Sequence, residues 1–287
     1  MSKTKDSYSA SLKHRTLVRT IICILFCVIA LGPFLLLVMN ATRSSDAIKS
    51  GISLIPSTHF LENWKNLMIK QNGMQITLQR AALNSLTITV PGTILSVYFS
   101  SLTAYGIFVY DFKLKKLAWA FIMAIMMVPS QISIIGFYRF MLDLKLVDTY
   151  IPLIIPTIAT PAVVFFMKQY MESTLSIEMI EAARIDGSGE LHTFNRIIMP
   201  IMKPAYASMA VLVGMGAWNG LLWPLLVISS MKKYTIPLGL NTLFTPYGNN
   251  YDLMITGSCF AILPLLLLYL LAQRFIIEGM TAGSVKG

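Results

Sequence analysis

The sequence predicts an all-α integral membrane protein with about six transmembrane helices, and three observations carry that prediction. Only 13% of the 287 residues are charged and 55% are hydrophobic, about half the charge that a soluble domain carries (about 25%). Six charge-free stretches, 20–39, 81–110, 117–138, 149–167, 204–231 and 253–273, meet or approach the roughly 20 apolar residues needed to cross a bilayer. The basic residues gather between those stretches, so the net charge of +10 reflects membrane topology rather than nucleic-acid binding.

The elements follow in order. The first apolar run exceeds the 7–15 residues of a signal-peptide core, and no small-residue cleavage site follows it. It is read as a helix over 17–39 behind a cytoplasmic tail, 1–16. The segment 40–80 is extracytoplasmic, and within it Phe60, Trp64 and Leu67 fall at i, i+4, i+7, the spacing of a short amphipathic helix on the outer leaflet. Residues 81–275 form a five-helix core. Its fourth run contains Pro152, Pro156 and Pro161, which a membrane span tolerates when neighbouring helices satisfy the freed backbone. The uncharged stretch 234–251 is too rich in Pro, Gly, Asn and Thr to span and reads as an outer loop dipping back toward the bilayer. Residues 276–287 are a cytoplasmic tail.

Orientation follows from lysine and arginine. With both termini inside, inner segments hold 14 of them and outer segments 8, leaving aside Arg139 at a span edge. The N-terminal tail and the cluster Lys113, Lys115 and Lys116 are the strongest signals. Cys23, Cys27 and Cys259 lie within apolar runs and read as small buried hydrophobes rather than a disulfide framework.

The inner segment between the fourth and fifth runs, with its core at 172–203, differs in character. Ser176 is placed to cap a helix opening with Glu178, where acidic charge suits the positive helix end. Ala182 and Ala183 leave a small-residue face for close approach of another protein, and Gly187 after Asp186 is a C-terminal stop. Ser188 is placed to cap a second helix with Glu190 in its first turn and Leu191, Phe194 and Ile198 along one face. Two short helices bent about a glycine and projecting into the cytoplasm are expected.

Glu181-Ala182-Ala183, Asp186-Gly187, Phe194, Ile197 and Pro200 closely resemble the EAA loop of membrane permease subunits of ABC importers. Ser188 and Met199 stand where that family usually has Ala and Leu, both size-tolerant changes. Asn84-Ser85-Leu86, Ala217-Trp218-Asn219 and Trp223-Pro224-Leu225 are similar to these permeases too. The tail 278–287 resembles the ending of their carbohydrate-type group, in particular its second, maltose-type permease subunit, and Leu61-Glu62-Asn63-Trp64 also resembles that group. The likeness covers about residues 15–287. It implies a six-helix type I importer permease fold, in a bacterial or archaeal cytoplasmic membrane. It also implies a second, different permease chain, two copies of a cytoplasmic ABC ATPase that bind ATP and Mg, and an extracytoplasmic solute-binding protein. The loop would be the coupling helix that docks in the ATPase: Glu181 meets its donors, Ala182 and Ala183 permit contact, Asp186 orients the turn and Gly187 sets the bend. The solute implied is a di- or oligosaccharide, with a glycerol-phosphate type solute as the alternative.

The chain itself has no P-loop motif, no HExxH or Cys/His cluster and no GxSxG, so no catalytic, metal or cofactor site is expected in it. None of the six runs contains Asp, Glu, Lys, Arg or His, which disfavours the other class of reading, an ion-coupled secondary transporter. Gln131, Ser133, Trp218, Asn219 and Ser258 are the polar or amphipathic span residues placed to line a solute path, or else to bond neighbouring helices.

Overall fold

In a computed structural model the chain is described over residues 2–69, 76–244 and 250–281, with side-chain surroundings over 15–69, 76–244 and 250–273. Every regular element among the described residues is helical. Four stretches are long and apolar enough to cross a membrane unbroken: Arg15–Ala41, Leu78–Val109, Ile151–Thr174 and Tyr251–Gln273. The chain forms two compact units, residues 1–73 with 243–260, and 74–242 with 261–287.

In the first unit, α1 (Ser2–Ala41) extends through the segment expected to be a tail. Its apolar side chains from Leu17 to Val38 are largely exposed, and so are Cys23 and Cys27. The expectation of buried cysteines fails because an apolar solvent removes the link between apolarity and burial. Past α1, the short helix α2 (Ser45–Lys49) and α3 (Phe60–Met68) are fastened by polar bonds. Arg43 donates to Asn40 Oδ1 and the Gly51 carbonyl, both at 2.8 Å. The Asn63 amide donates to the carbonyls of Ala41 (3.1 Å) and Arg43 (2.9 Å). The expected amphipathic helix is α3, and it packs on the protein through buried Asn63 and Leu67 and through Trp64, 5.6 Å from the Phe260 ring.

The second unit is organised on α4 (Leu78–Val109), whose 32 residues reach about 48 Å at 1.5 Å per residue. One face carries Gly92, Ser96, Ser100 and Ala104, all buried. Small residues at this spacing let a neighbouring backbone approach closely. That neighbour is the fourth membrane stretch, α7 (Ile151–Ile154), a 3-10 turn, and α8 (Pro161–Thr174). Ser96 and Thr160 hydroxyls lie 3.0 Å apart, and the Thr160 N–H donates to Ser100 Oγ at 3.1 Å. Val97, Tyr105, Val164, Met167, Phe194 and Met209 contribute to the buried core.

Several helix bounds differ from those of the apolar runs. The fourth stretch continues seven residues beyond Met167 to Thr174, because Lys168 turns its ammonium onto the Trp119 ring (4.5 Å) and pairs with Glu172 at 2.5 Å. The third run is two helices, α5 (Lys115–Met126) and α6 (Ile134–Asp143), bent by 86° across the break. Pro129 lies at that break, and a proline disfavours the helical conformation in the residue before it. The fifth run is α12 (Lys203–Trp218), interrupted at 219–221 before α13 (Leu222–Val227). Within 234–251 lies a buried helix, α14 (Ile236–Asn241), hooked to α4. The Asn84 amide donates to the carbonyls of Lys232 and Tyr234 (2.9 Å each), and the Ile236 N–H donates to Ser85 Oγ (2.9 Å). Residues 245–249 of that stretch lie outside the described residues, as does 282–287 of the family-like tail.

Candidate functional site

The segment between the fourth and fifth apolar runs folds as expected into two short helices about a glycine. The first, α9 (Ile177–Ile185), has Ser176 as its N-cap, with the hydroxyl accepting from the Met179 N–H at 3.4 Å. A backbone N–H and the Ser176 hydroxyl hold the Glu178 carboxyl below its ordinary pKa. At the other end the Ser188 N–H bonds the Ala183 carbonyl (2.9 Å) and the Gly187 N–H bonds that of Arg184 (3.0 Å). This is the paired closure of a Schellman motif, which requires a left-handed residue. Gly187 supplies it with φ +78°.

The second helix, α10 (Glu190–Thr193), departs from expectation at its start. Its N-cap is Gly189, without a side-chain bond, and the Ser188 hydroxyl instead meets the Thr193 hydroxyl at 2.8 Å. The closing turn of α9 has drawn Ser188 one position too early to serve as a cap. After α10 the chain passes through a π-helical turn, Phe194–Ile198, and α11 (Met199–Ile201). It then bends by 84° into α12.

Glu178, Glu181, Ala182 and Ile185 fall at i, i+3, i+4, i+7 and are all exposed, together with Asp186 and Gly187. Ala183 points the other way, buried at 7% exposure beside fully buried Ile180. Of the two alanines, only Ala182 lies on the free face, which corrects the expectation for Ala183. Phe194 is wholly buried, its ring 5.8 Å from Tyr98 and 5.3 Å from Tyr105 of α4. Ile197 is half-buried and Pro200 exposed. Phe194 therefore fastens the loop to the core. Sequence reasoning missed Ile185, 86% exposed, although its place on the Glu178–Glu181–Ala182 stripe was a signal for it.

The loop is also tied by charge. Arg184 Nε donates to Glu190 Oε1 at 2.7 Å, and the Tyr105 hydroxyl donates to Glu190 Oε2 at 3.2 Å. The Arg184 guanidinium lies over the Tyr110 ring at 5.5 Å. The bond from Arg184 outweighs burial and keeps the Glu190 carboxyl below its usual pKa.

A cavity of about 510 Å³ opens elsewhere in the same unit, between α4, α6, the fourth membrane stretch and the α12–α13 break. Its walls include the hydroxyls of Ser85, Ser133, Thr157, Thr160 and Thr235 and the rings of Phe137 and Trp223, and among the described residues none that lines it is ionisable. Phe137 and Trp223 meet edge to face at 5.1 Å. Ser133 is the one expected path residue on this wall. Gln131 and Asn219 are exposed elsewhere on the surface. The Trp218 indole is buried and donates to the Ala261 carbonyl at 2.9 Å. The Ser258 hydroxyl bonds back to the Met254 carbonyl at 2.7 Å. For Trp218 the role of bonding a neighbouring helix holds, whereas Ser258 is satisfied within its own helix. Trp223 does line the cavity, and the signal for it in the sequence is the motif Trp223-Pro224-Leu225.

The family described as binding-protein-dependent transport system inner membrane component matches residues 92–280. The arabinooligosaccharides transport system permease protein AraQ of Halalkalibacterium halodurans is 40% identical, over 90% of this chain and 92% of its own length. Its Bacillus subtilis counterpart is 39% identical, over 88% and 89%. The lactose transport system permease protein LacG of Rhizobium radiobacter is 31% identical, over 90% and 92%. A chain of a bacterial ABC transporter involved in import of the acidic polysaccharide alginate superposes with a TM-score of 0.77, covering 91% of this chain and 95% of that one. At 20% identity that likeness speaks for the fold. Motif, fold and relatives agree: the chain belongs to the family of inner membrane components of binding-protein-dependent transport systems.

Proposed function

We propose that this chain is one of two permease subunits of an ATP-driven importer of a neutral oligosaccharide, and that α9 is the helix through which a cytoplasmic ATPase drives it. The observation carrying this reading is the free face of α9. Glu181, Ala182, Ile185 and Asp186 are exposed, while Ile180, Ala183 and Phe194 anchor the other side. An apolar side chain as exposed as Ile185, rimmed by carboxylates, suits a protein cleft better than water.

On this reading the bent pair α5–α6 is one crossing and α12, after its 84° bend out of the loop, begins another, making six, with both termini in the cytoplasm. Residues 172–203 form the coupling loop. The second permease is a different chain, the ATPase is present in two copies holding ATP and Mg, and a solute-binding protein delivers the sugar from outside. The relatives named for arabinooligosaccharides and lactose support a sugar. A relative named for sn-glycerol 3-phosphate, from Brucella abortus, is 29% identical. The cavity favours the neutral solute, because its lining offers hydroxyls and aromatic faces but no cation for a phosphate.

The test is uptake and pull-down in cells. Gly187→Pro removes an N–H that bonds Arg184 and forbids the positive φ. Ala182→Trp fills the free face. Both are expected to abolish ATP-dependent uptake and ATPase co-purification while the permease stays in the membrane. Normal uptake and assembly in both variants would overturn the docking role.

A further inference from the structure

Glu190 joins three parts of the inner region. It opens α10, accepts from Arg184 on α9, and accepts from Tyr105 on α4 through its other oxygen. The link between α9 and α10 is only Gly187, Ser188 and Gly189, and Gly187 and Gly189 have no heavy atom within 4 Å of where a Cβ would stand. The closing bonds of α9 and buried Ile180 hold the core side of this joint; on its exposed side it can hinge unless a side chain spans it. The Arg184–Glu190 pair spans it.

We infer that Glu190 is a positioning residue of the transport cycle, locking the coupling helix α9 to the membrane helix α4. A displacement imposed on the free face of α9 then moves α4 instead of being absorbed at residues 187–189. The inference rests on the reading of α9 as the coupling helix. The Arg184 and Glu190 side chains are 36% and 40% exposed, and an ion pair that open to water adds little to stability. Its effect is therefore to be sought in coupling. Phe194 between Tyr98 and Tyr105 supplies the attachment, and Glu190 supplies the direction. Tyr105 is buried and cannot yield to a pull without disturbing the core around Phe194.

The experiment uses the complete importer in proteoliposomes with loaded binding protein and ATP, reading solute carried per ATP hydrolysed. Glu190→Ala is expected to co-purify with the ATPase and to hydrolyse ATP, while the ratio falls about fivefold or more, the low end of coupling between distant sites. Glu190→Gln recovers at least half of the ratio, since its amide oxygen accepts from Arg184 while its NH2 donates to the Tyr105 oxygen. Tyr105→Phe lowers the ratio, and joined to Glu190→Ala it adds no further loss, because both cut one link. A wild-type ratio in Glu190→Ala overturns the inference. Should Glu190→Ala fail to assemble, Tyr105→Phe decides: loss of the ATPase or a wild-type ratio there overturns it equally. If the unmutated importer takes up solute without hydrolysing ATP, it is the proposed function that fails.

Discussion

Asp148 shows how much one residue can hold. It adopts φ +62°, a conformation that Asp and Asn tolerate better than other non-glycine residues. From there its carboxylate accepts from the N–H groups of Ser229 (3.0 Å) and Ser230 (2.8 Å), the Ser230 hydroxyl (2.5 Å) and the Lys233 ammonium (2.9 Å). Lys233 also donates to the Asp148 carbonyl. Burial by itself would raise the Asp148 pKa; the Ser230, Lys233 and Ser229 bonds outweigh it and hold the group well below the carboxylate range. A depressed folded pKa means stability that is complete above the unfolded value, near 3.9, and is lost as pH falls toward the folded one. Asp148→Asn keeps the backbone conformation and removes the charge. It should lower stability at pH 7 by about 1.5–3 kcal/mol, the worth of a charged hydrogen bond, with the part-exposed Lys233 adding little. Thermal melts of the detergent-purified protein should show a lower Tm for the variant at pH 7 and a smaller gap from wild type by pH 3. A gap that does not narrow would contradict the account. Asp148 could not be found in the sequence, because its donors lie about eighty positions downstream and no local pattern links them.

Among elements, the proline-bearing helices separate what local rules can and cannot decide. Pro33, Pro91 and Pro264 sit inside α1, α4 and α15 (Tyr251–Thr281), which continue through them. Pro129 instead stands at an 86° break. The sequence marks all four positions equally, and no local rule separates a proline that a helix continues through from one at which it breaks. The two short helices of the inner loop were legible because caps and stops are local: Ser176 and Gly187 act within a turn of themselves. The direction of Ala183 was not, since either alanine face could have been turned inward until Ile180 and Phe194 found the core. Phe194→Ala should free α10 from α4 at a cost of about 3–5 kcal/mol, as for other buried aromatics cut to alanine. Amide exchange across residues 177–198 should then accelerate strongly while α4 stays protected. Unchanged exchange there would show that the loop is held by something else.

At the scale of the molecule, the neutral cavity gives the transport prediction. Trp223→Ala removes one of two aromatic walls. Solute transport at low concentration should fall about tenfold, the worth of one well-placed pocket contact, while ATPase co-purification stays intact. Equal loss of both would assign Trp223 to assembly instead. Composition, charge spacing and the 181–200 motif determined that this is a helical membrane protein, where its apolar stretches lie and which segment carries the loop. Those properties depend on the solvent surrounding the chain and on contacts within a turn or two. The tertiary structure alone decided that the third stretch is broken, that Ser133 and Trp223 line a cavity while Trp218 bonds a neighbouring helix, and that Glu190 ties α9 to α4. In lipid every exposed face is apolar, so the pattern that tells inside from outside in a soluble protein is missing. Only packing reveals which polar side chains face one another.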